Sequence, residues 1–254
     1  MKYTAILLAG SRPGRDPFAE QFGTDMKALI AVCGEPMVRR PIRALLQSEK
    51  VGSVIVLGQS VERIADVVPS DARLMFRRSE GTIAETMLGF CNDPETPWPL
   101  LVTTADHALL DSGIVAEFLT RAKGADLAVG IVESGILMKR FPNSKRTWLK
   151  FRGGAFTGAN LFAIDSPKAA PVIELWRSVE QDRKKGWRLI SLLGPLTLAA
   201  TALRLFSIDQ VLGRLGRKLG LRLKAVRLSN PMAGVDVDKP CDLSLVEAVL
   251  QGRA

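Results

Sequence analysis

Three stretches of this chain place charged side chains where they could do chemistry. The first is Leu101-Val102-Thr103-Thr104-Ala105-Asp106-His107, an apolar run that ends on a carboxylate. A carboxylate at the end of a buried strand is costly unless it has a partner. A hard divalent cation with oxygen ligands and bound water is one such partner; the backbone of a following helix, with Asp106 as its N-cap, is the alternative. The second is Ala233-Gly234-Val235-Asp236-Val237-Asp238-Lys239-Pro240-Cys241-Asp242. If this segment is extended, Asp236 and Asp238 share a face, because side chains alternate with period two. Asp242 falls in the first turn of a closing helix, where the helix dipole alone explains an acid. The third is Ala5-Ile6-Leu7-Leu8-Ala9-Gly10-Ser11-Arg12-Pro13-Gly14-Arg15, an apolar run that breaks into a basic Gly/Pro turn. A strand followed by a glycine turn often brings backbone close to phosphate. The turn is not a P-loop, since Gly10 and Gly14 have the wrong spacing and no Lys-Ser/Thr pair follows. It is not a G-x-G-x-x-G dinucleotide fingerprint either. A turn that merely happens to be basic remains open on these residues alone. His107, the single histidine, is read as a supporting or surface residue beside Asp106 rather than as a general base.

The elements that would position these groups follow from apolar periodicity. Strands are predicted at Tyr3–Ala9, Val51–Leu57, Arg73–Phe76, Leu100–Thr104, Leu127–Val132 and Phe156–Ile164. Helices are predicted at Met37–Gln47, Val61–Val67, Glu80–Phe90 and Ile114–Ala122. Such alternation indicates an α/β fold, a Rossmann-like doubly wound and mostly parallel sheet, whose ligands sit at the carboxyl ends of the strands. Glu133–Gly154 reads as a polar, basic stretch. Pro167–Leu215 reads as helix-rich with a Gly194-Pro195 break, a helical insertion of about 165–220 in one domain spanning 1–254. Leu221–Leu228 and Gly234–Val237 read as short strands, and Lys239–Leu250 as a closing helix.

Composition narrows the class. Apolar residues make up 47% of 254, enough for a substantial core. Three scattered cysteines, Cys33, Cys91 and Cys241, argue against a disulfide framework and fit a reducing cytoplasm. The N-terminus lacks the pattern of a signal peptide. Net charge is +9, and the excess is localised. Between Lys139 and Arg227 there are 19 Lys and Arg against five Asp and Glu, while the remainder carries a net −5. Such a block faces phosphates, nucleic acid or an anionic membrane. Few aromatics are interleaved with the cations, which argues against nucleic acid. Leu189–Leu203 carries no charge over 15 residues and has basic flanks. It is shorter than the roughly 20 residues that span a bilayer. Burial as a helical hairpin is favoured, with peripheral membrane contact through 183–204 as the other reading. The membrane reading would put the protein at the inner face of the membrane.

Three separated pieces then occur in order: Leu8-Ala9-Gly10 with Arg15, Lys27-Ala28-Leu29, and Gly34-Glu35-Pro36-Met37. Together they resemble the opening of nucleotidyltransferases with the MobA-like fold, relatives of molybdenum-cofactor, cobinamide-phosphate and alcohol-phosphate nucleotidyltransferases. The resemblance implies the sheet type of nucleotide-diphospho-sugar transferases (GT-A). It implies transfer of CMP or GMP from CTP or GTP to a phosphorylated small-molecule or lipid-head-group acceptor, with release of pyrophosphate. Leu8, Ala9, Gly10 and Ser11 would approach the nucleotide, with Arg12 or Arg15 and Lys27 over the triphosphate. Asp106, in a segment similar to the family's G-D-x-P-L-L, and Asp238, in one similar to its closing motif, would hold Mg2+; Asp236 is a weaker candidate. Ser79 and Thr82 would meet the base or else cap a helix. Gly158 and Asn160, with Lys145 and Arg146 upstream, would line the acceptor site. Two rivals stay open: a GT-A-type glycosyltransferase using a nucleotide-sugar, with Asp236-Val237-Asp238 as its D-x-D, and a non-catalytic membrane-surface adaptor. Oligomeric state is also open, a homodimer included.

Overall fold

A computed structural model of the chain describes residues 2–10, 16–79, 81–181 and 194–253. Its main sheet is built from β1 (Tyr3–Leu8), β4 (Val51–Gly58), β5 (Leu74–Arg78), β6 (Leu100–Thr104), β7 (Leu127–Glu133), β9 (Gly154–Ile164) and β10 (Leu223–Arg227), in the spatial order β10-β7-β9-β6-β1-β4-β5. The short strand β8 (Leu149–Phe151) adds to β9, and β2 (Ala31–Val32) with β3 (Glu35–Pro36) forms a separate hairpin. The pairings β1–β4, β1–β6, β4–β5 and β10–β7 are parallel; β9 runs antiparallel to β6, β7 and β8. The sheet is thus mostly parallel, as its sequence pattern implied.

Alternation along the strands produces two core layers. Ala5, Leu7, Val54, Val56 and Leu101 face one layer, with Ile42 and Leu45 of α2 (Arg39–Gln47), Ile114 and Phe118 of α5 (Ser112–Ala122), and Leu243 and Val246 of the closing helix Pro240–Leu250. Ile6, Ile55, Leu57, Leu100 and Val102 face the other, against Ala84 and Met87 of α4 (Ile83–Asn92) and Ile173 of α7 (Ala170–Gln181). Strands buried on both faces read as continuous apolar runs, which is why β1 and β6 stand out in the sequence.

The winding order places the site. From β1 the chain steps outward to β4 and β5, then returns to the opposite side of β1 as β6. This reversal opens a crevice beyond the carboxyl ends of β1 and β6, the usual ligand position in open α/β sheets.

Several sequence expectations need correction. Gly234–Val237 is not a strand: Pro231–Gly234 is a 3-10 turn, begun by Asn230, whose side chain accepts from the Met232 amide at 3.0 Å. The polar stretch 133–154 contains helix α6 (Ser134–Arg140), anchored by fully buried Leu137, and strand β8. Helix α4 begins at Ile83 rather than Glu80, because Thr82 and Glu85 form a reciprocal capping box there. In the 165–220 region the described helices are α7, α8 (Pro195–Ala202) and α9 (Ile208–Leu219). Residues 189–193 of the charge-free stretch and its basic flank 183–188 lie outside the described residues. Among the described residues no helix is long and apolar enough to cross a membrane.

Candidate functional site

Lys27 opens a 3-10 turn, Lys27–Leu29, in the connection after β1. Met26, Ala28 and Ile30 around it are buried, and the Val38 amide donates to the Ala28 carbonyl at 3.0 Å. These anchors turn Lys27 back over the sheet edge. Asp106 follows β6, with the preceding Ala105 amide extending the pairing to the Leu8 carbonyl at 2.9 Å. Lys27 Nζ donates to Asp106 Oδ2 at 2.6 Å and to Asp238 Oδ1 at 2.5 Å. The Thr104 hydroxyl donates to the other Asp106 oxygen at 2.5 Å, and the Val237 amide donates to the Asp106 carbonyl at 3.0 Å. The two acids therefore converge on one cation at the crevice that the winding order creates. Burial works against the Lys27 ammonium, but the two carboxylates outweigh it and raise its pKa above the ordinary lysine value.

A second polar cluster lies directly behind. The Arg146 guanidinium pairs through Nη1 with Asp236 Oδ1; its Nη2 donates to the Asp236 carbonyl at 2.9 Å and reaches Asp242 Oδ1 at 3.5 Å. Asn160 Nδ2 donates to Asp236 Oδ2 at 3.2 Å. Asp242 Oδ2 accepts from the Asp238 amide at 3.2 Å. Asp236 and Asp238 thus take different partners, Arg146 with Asn160 for the first and Lys27 for the second. Asp242 does more than complement a helix dipole, since it ties Arg146 to the Asp238 backbone. Asn160 reaches Asp236 from a bulge: between the pairs Val129↔Phe162 and Ile131↔Gly158 the register shifts, and Asn160 takes φ 48°. Asparagine tolerates this left-handed conformation better than most residues, and bulges re-aim side chains in this way.

The other singled-out residues are placed as follows. Leu8 ends β1, and the Ala9 amide donates to the Leu57 carbonyl at 2.8 Å. At Gly10 an added Cβ would lie 3.1 Å from the Gln59 amide oxygen, so the backbone there passes close to the end of β4. Ser11, Arg12 and Arg15 lie outside the described residues. The Ser79 and Thr86 hydroxyls share a hydrogen bond of 2.6 Å, while Thr82 caps α4. A hollow of about 290 Å³ lies between Leu57, Arg77, Ser79, Glu85 and Phe90. Lys145 is exposed, as is Gly158, where a Cβ would meet nothing within 4 Å. Arg146, in contrast to Lys145, is buried in its ion pairs. His107 is fully buried rather than on the surface. Burial pushes its pKa down to about 4, against the pull of Asp106, so it is neutral at pH 7.

Sequence reasoning missed Thr104 and the linkage of Arg146 with Asp242. The T-x-D spacing at the end of β6 was a usable signal for the first. Nothing local signals the second, since Arg146 lies 90 and 96 residues from its acidic partners.

The donor set suits a hard divalent ion. Two aspartates, rather than thiolates or imidazoles, point oxygens at one position already taken by a cationic ammonium. Among the described residues no cluster of three or more His, Cys, Asp or Glu forms. A metal here would therefore rest on two protein carboxylates and complete its shell with water and substrate oxygens.

Known proteins share this fold. A hypothetical transferase from Thermus thermophilus is 32% identical, with a TM-score of 0.80 over 96% of this chain and 100% of that one. A 4-diphosphocytidyl-2C-methyl-D-erythritol synthase from Anaerococcus prevotii matches at TM-score 0.61 and 11% identity, over 98% of this chain and 96% of that one. A CMP:2-keto-3-deoxy-manno-octonic acid synthetase, solved with CTP, matches at 0.60 and 12% over the full length of both. The last two likenesses concern the fold alone. A search of curated protein sequences finds no match. The profile of the MobA-like NTP transferase domain matches residues 5–204, more than half of the chain. With the switch-point crevice and its Lys27–Asp106 pair inside that span, the chain belongs to the MobA-like NTP transferase family and is a nucleotidyltransferase.

Proposed function

We propose that the protein transfers CMP or GMP from CTP or GTP to a phosphorylated acceptor, and that the crevice between β1 and β6 is where it does so. The observation that carries this reading is the convergence of Asp106 and Asp238 on the Lys27 ammonium. Leu8, Ala9 and Gly10 would pass along the nucleotide, and Arg15 (or Arg12) with Lys27 would neutralise the triphosphate. Asp106 and Asp238 would hold Mg2+, which when bound offsets charge on the phosphates. An oxygen of the acceptor phosphate attacks the α-phosphorus, the bond to the bridging oxygen of the β-phosphate breaks, and pyrophosphate leaves with that electron pair. Lys27 offers three donors to the developing negative charge. The acceptor phosphate is already anionic, so no general base is required and neutral His107 stays a structural neighbour of Asp106. Ser79 and Thr82 border the base side. Gly158, Asn160 and exposed Lys145 border the acceptor side, where Arg146 acts through Asp236 and Asp242 rather than by touching the acceptor. The chain would work as one catalytic domain in the cytoplasm.

The test is pyrophosphate release with a panel of NTPs and phosphorylated acceptors, with Mg2+ present. Asp106→Asn and Lys27→Met are expected to lower kcat/KM by at least 100-fold, about 2.7 kcal/mol of transition-state stabilisation, with circular dichroism unchanged. Failure of the wild-type protein to bind any NTP with Mg2+, or unimpaired turnover in Asp106→Asn, would refute the assignment.

A further inference from the structure

Away from the crevice, the turn between α8 and α9 presents an apolar knuckle set in positive charge. Leu203 and Leu205 are 71% and 55% exposed, the two most exposed large hydrophobic side chains among the described residues. Arg204 lies between them with φ 57°, a left-handed residue that ends the helix, with the Leu205 amide donating back to the Ala200 carbonyl at 2.7 Å. Arg214 stacks over Phe206, its Cζ 4.1 Å from the ring centroid, and with Thr197, Arg217 and Lys218 it lines a hollow of about 250 Å³. Between Gly194 and Arg227 the sequence has seven cations and one acid, Asp209, and that acid is paired with Arg227 at 2.6 Å. Arg222 is paired with Asp126. Among the described residues no carboxylate pairs Arg204, Arg214, Arg217 or Lys218.

We propose that this knuckle and its cationic hollow dock the protein on an anionic lipid surface. Two exposed leucines would enter the boundary between headgroups and acyl chains, while Arg204, Arg214, Arg217 and Lys218 meet lipid phosphates. An apolar tip beside cations that no described carboxylate pairs is the combination that peripheral membrane attachment requires, since neither a short apolar segment nor a basic patch alone holds firmly. A nucleic-acid surface would pair the same cations with stacking aromatics, whereas Leu203 and Leu205 offer none. Attachment would also orient the enzyme. The Arg152 amide donates to the Phe206 carbonyl at 2.9 Å, and Arg152 follows β8, which pairs with the β9 strand that carries Gly158 and Asn160. The lipid-facing turn is therefore joined to the strand expected to border the acceptor. The docking itself does not depend on the proposed reaction.

The test is co-sedimentation of the full chain with phosphatidylcholine vesicles, with and without phosphatidylglycerol, in the absence of nucleotide. The wild-type protein is expected to bind only the phosphatidylglycerol vesicles and to dissociate as salt rises. Arg217→Glu with Lys218→Glu is expected to weaken that binding by roughly tenfold or more, and Leu203→Ser with Leu205→Ser to weaken it with little change in salt dependence. Circular dichroism and pyrophosphate release with soluble substrates should match the wild type in both variants, which separates lost docking from lost folding and from failure of the proposed reaction. Equal binding to both vesicle types, unchanged binding by both double variants, or retention on an RNA homopolymer with none on vesicles would overturn the proposal.

Discussion

Removing the Arg146 guanidinium tests whether the cluster behind the crevice holds it together. The Arg146 side chain is only 7% exposed and Asp242 only 11%, while Asp236 is 27% exposed. In Arg146→Met the hydrophobic stem remains but two carboxylates lose their shared cation. Breaking a buried pair from one side costs about 3–5 kcal/mol, because the remaining charge is left uncompensated. Asp236 keeps the Asn160 amide and some water, so the lower end applies, about 3 kcal/mol. For a chain of this size each kcal/mol moves Tm by roughly 2–4 °C, so the variant should melt roughly 6–12 °C lower. Arg146→Lys restores the charge but cannot fork to both acids, and should recover only part of the loss. Adding Asp236→Asn to Arg146→Met should also recover part, by removing one stranded charge. Thermal denaturation followed by circular dichroism at neutral pH reads all three. The same loss should raise the Mg2+ concentration needed for half-maximal turnover, since Asp242 holds the Asp238 amide. A Tm for Arg146→Met within about 1 °C of wild type, with no recovery on adding Asp236→Asn, would refute the reasoning.

Two further perturbations follow from buried positions. The folded-state pKa of His107 is about 4, below its unfolded value of 6.5. The unfolded chain therefore binds the extra proton between those values, and stability should fall as pH drops from 6.5 toward 4, by about 3 kcal/mol from this group. Urea unfolding across that window should show a shallower pH slope in His107→Asn; an unchanged slope would remove His107 as its source. At Gly234, a Cβ would lie 2.7 Å from Leu137 Cδ1 and 3.1 Å from Thr157 Cγ2. Gly234→Ala should lose roughly 1–3 kcal/mol to overpacking, and the displaced 235–238 segment should lower turnover beyond the stability loss. Wild-type Tm and turnover would show that the turn yields freely.

What the sequence disclosed depended on distance along the chain. Strands β1 and β6 were legible because burial on both faces leaves uninterrupted apolar runs, and Leu100–Thr104 matches its predicted bounds. The start of α4 was misplaced by three residues, although the Thr82–Glu85 spacing contained the capping signal. Gly234–Val237 reads as a strand in sequence because its valines outweigh Asn230-Pro231, the turn-forming pair just upstream that opens the 3-10 turn. Asp106 and Asp238 could be singled out from local context and resemblance, yet their common partner, Lys27, lies 79 and 211 residues away from them respectively. Arg146 reads as an acceptor-site cation beside Lys145, and distance along the chain likewise hides its acidic partners. Periodicity reports which face a residue takes, and it carries nothing about which distant acid that face will meet.

The reach of Lys27 across the chain ties together two segments that are far apart in sequence. Its neighbour Asp106 belongs to the segment that the family profile covers, but Asp238 lies beyond residue 204, where that profile stops. The second acid comes from the connection between β10, which pairs with β7, and the closing helix. One wall of the crevice is thus tied to the other through a single ammonium, and loosening either segment should loosen the grip on both.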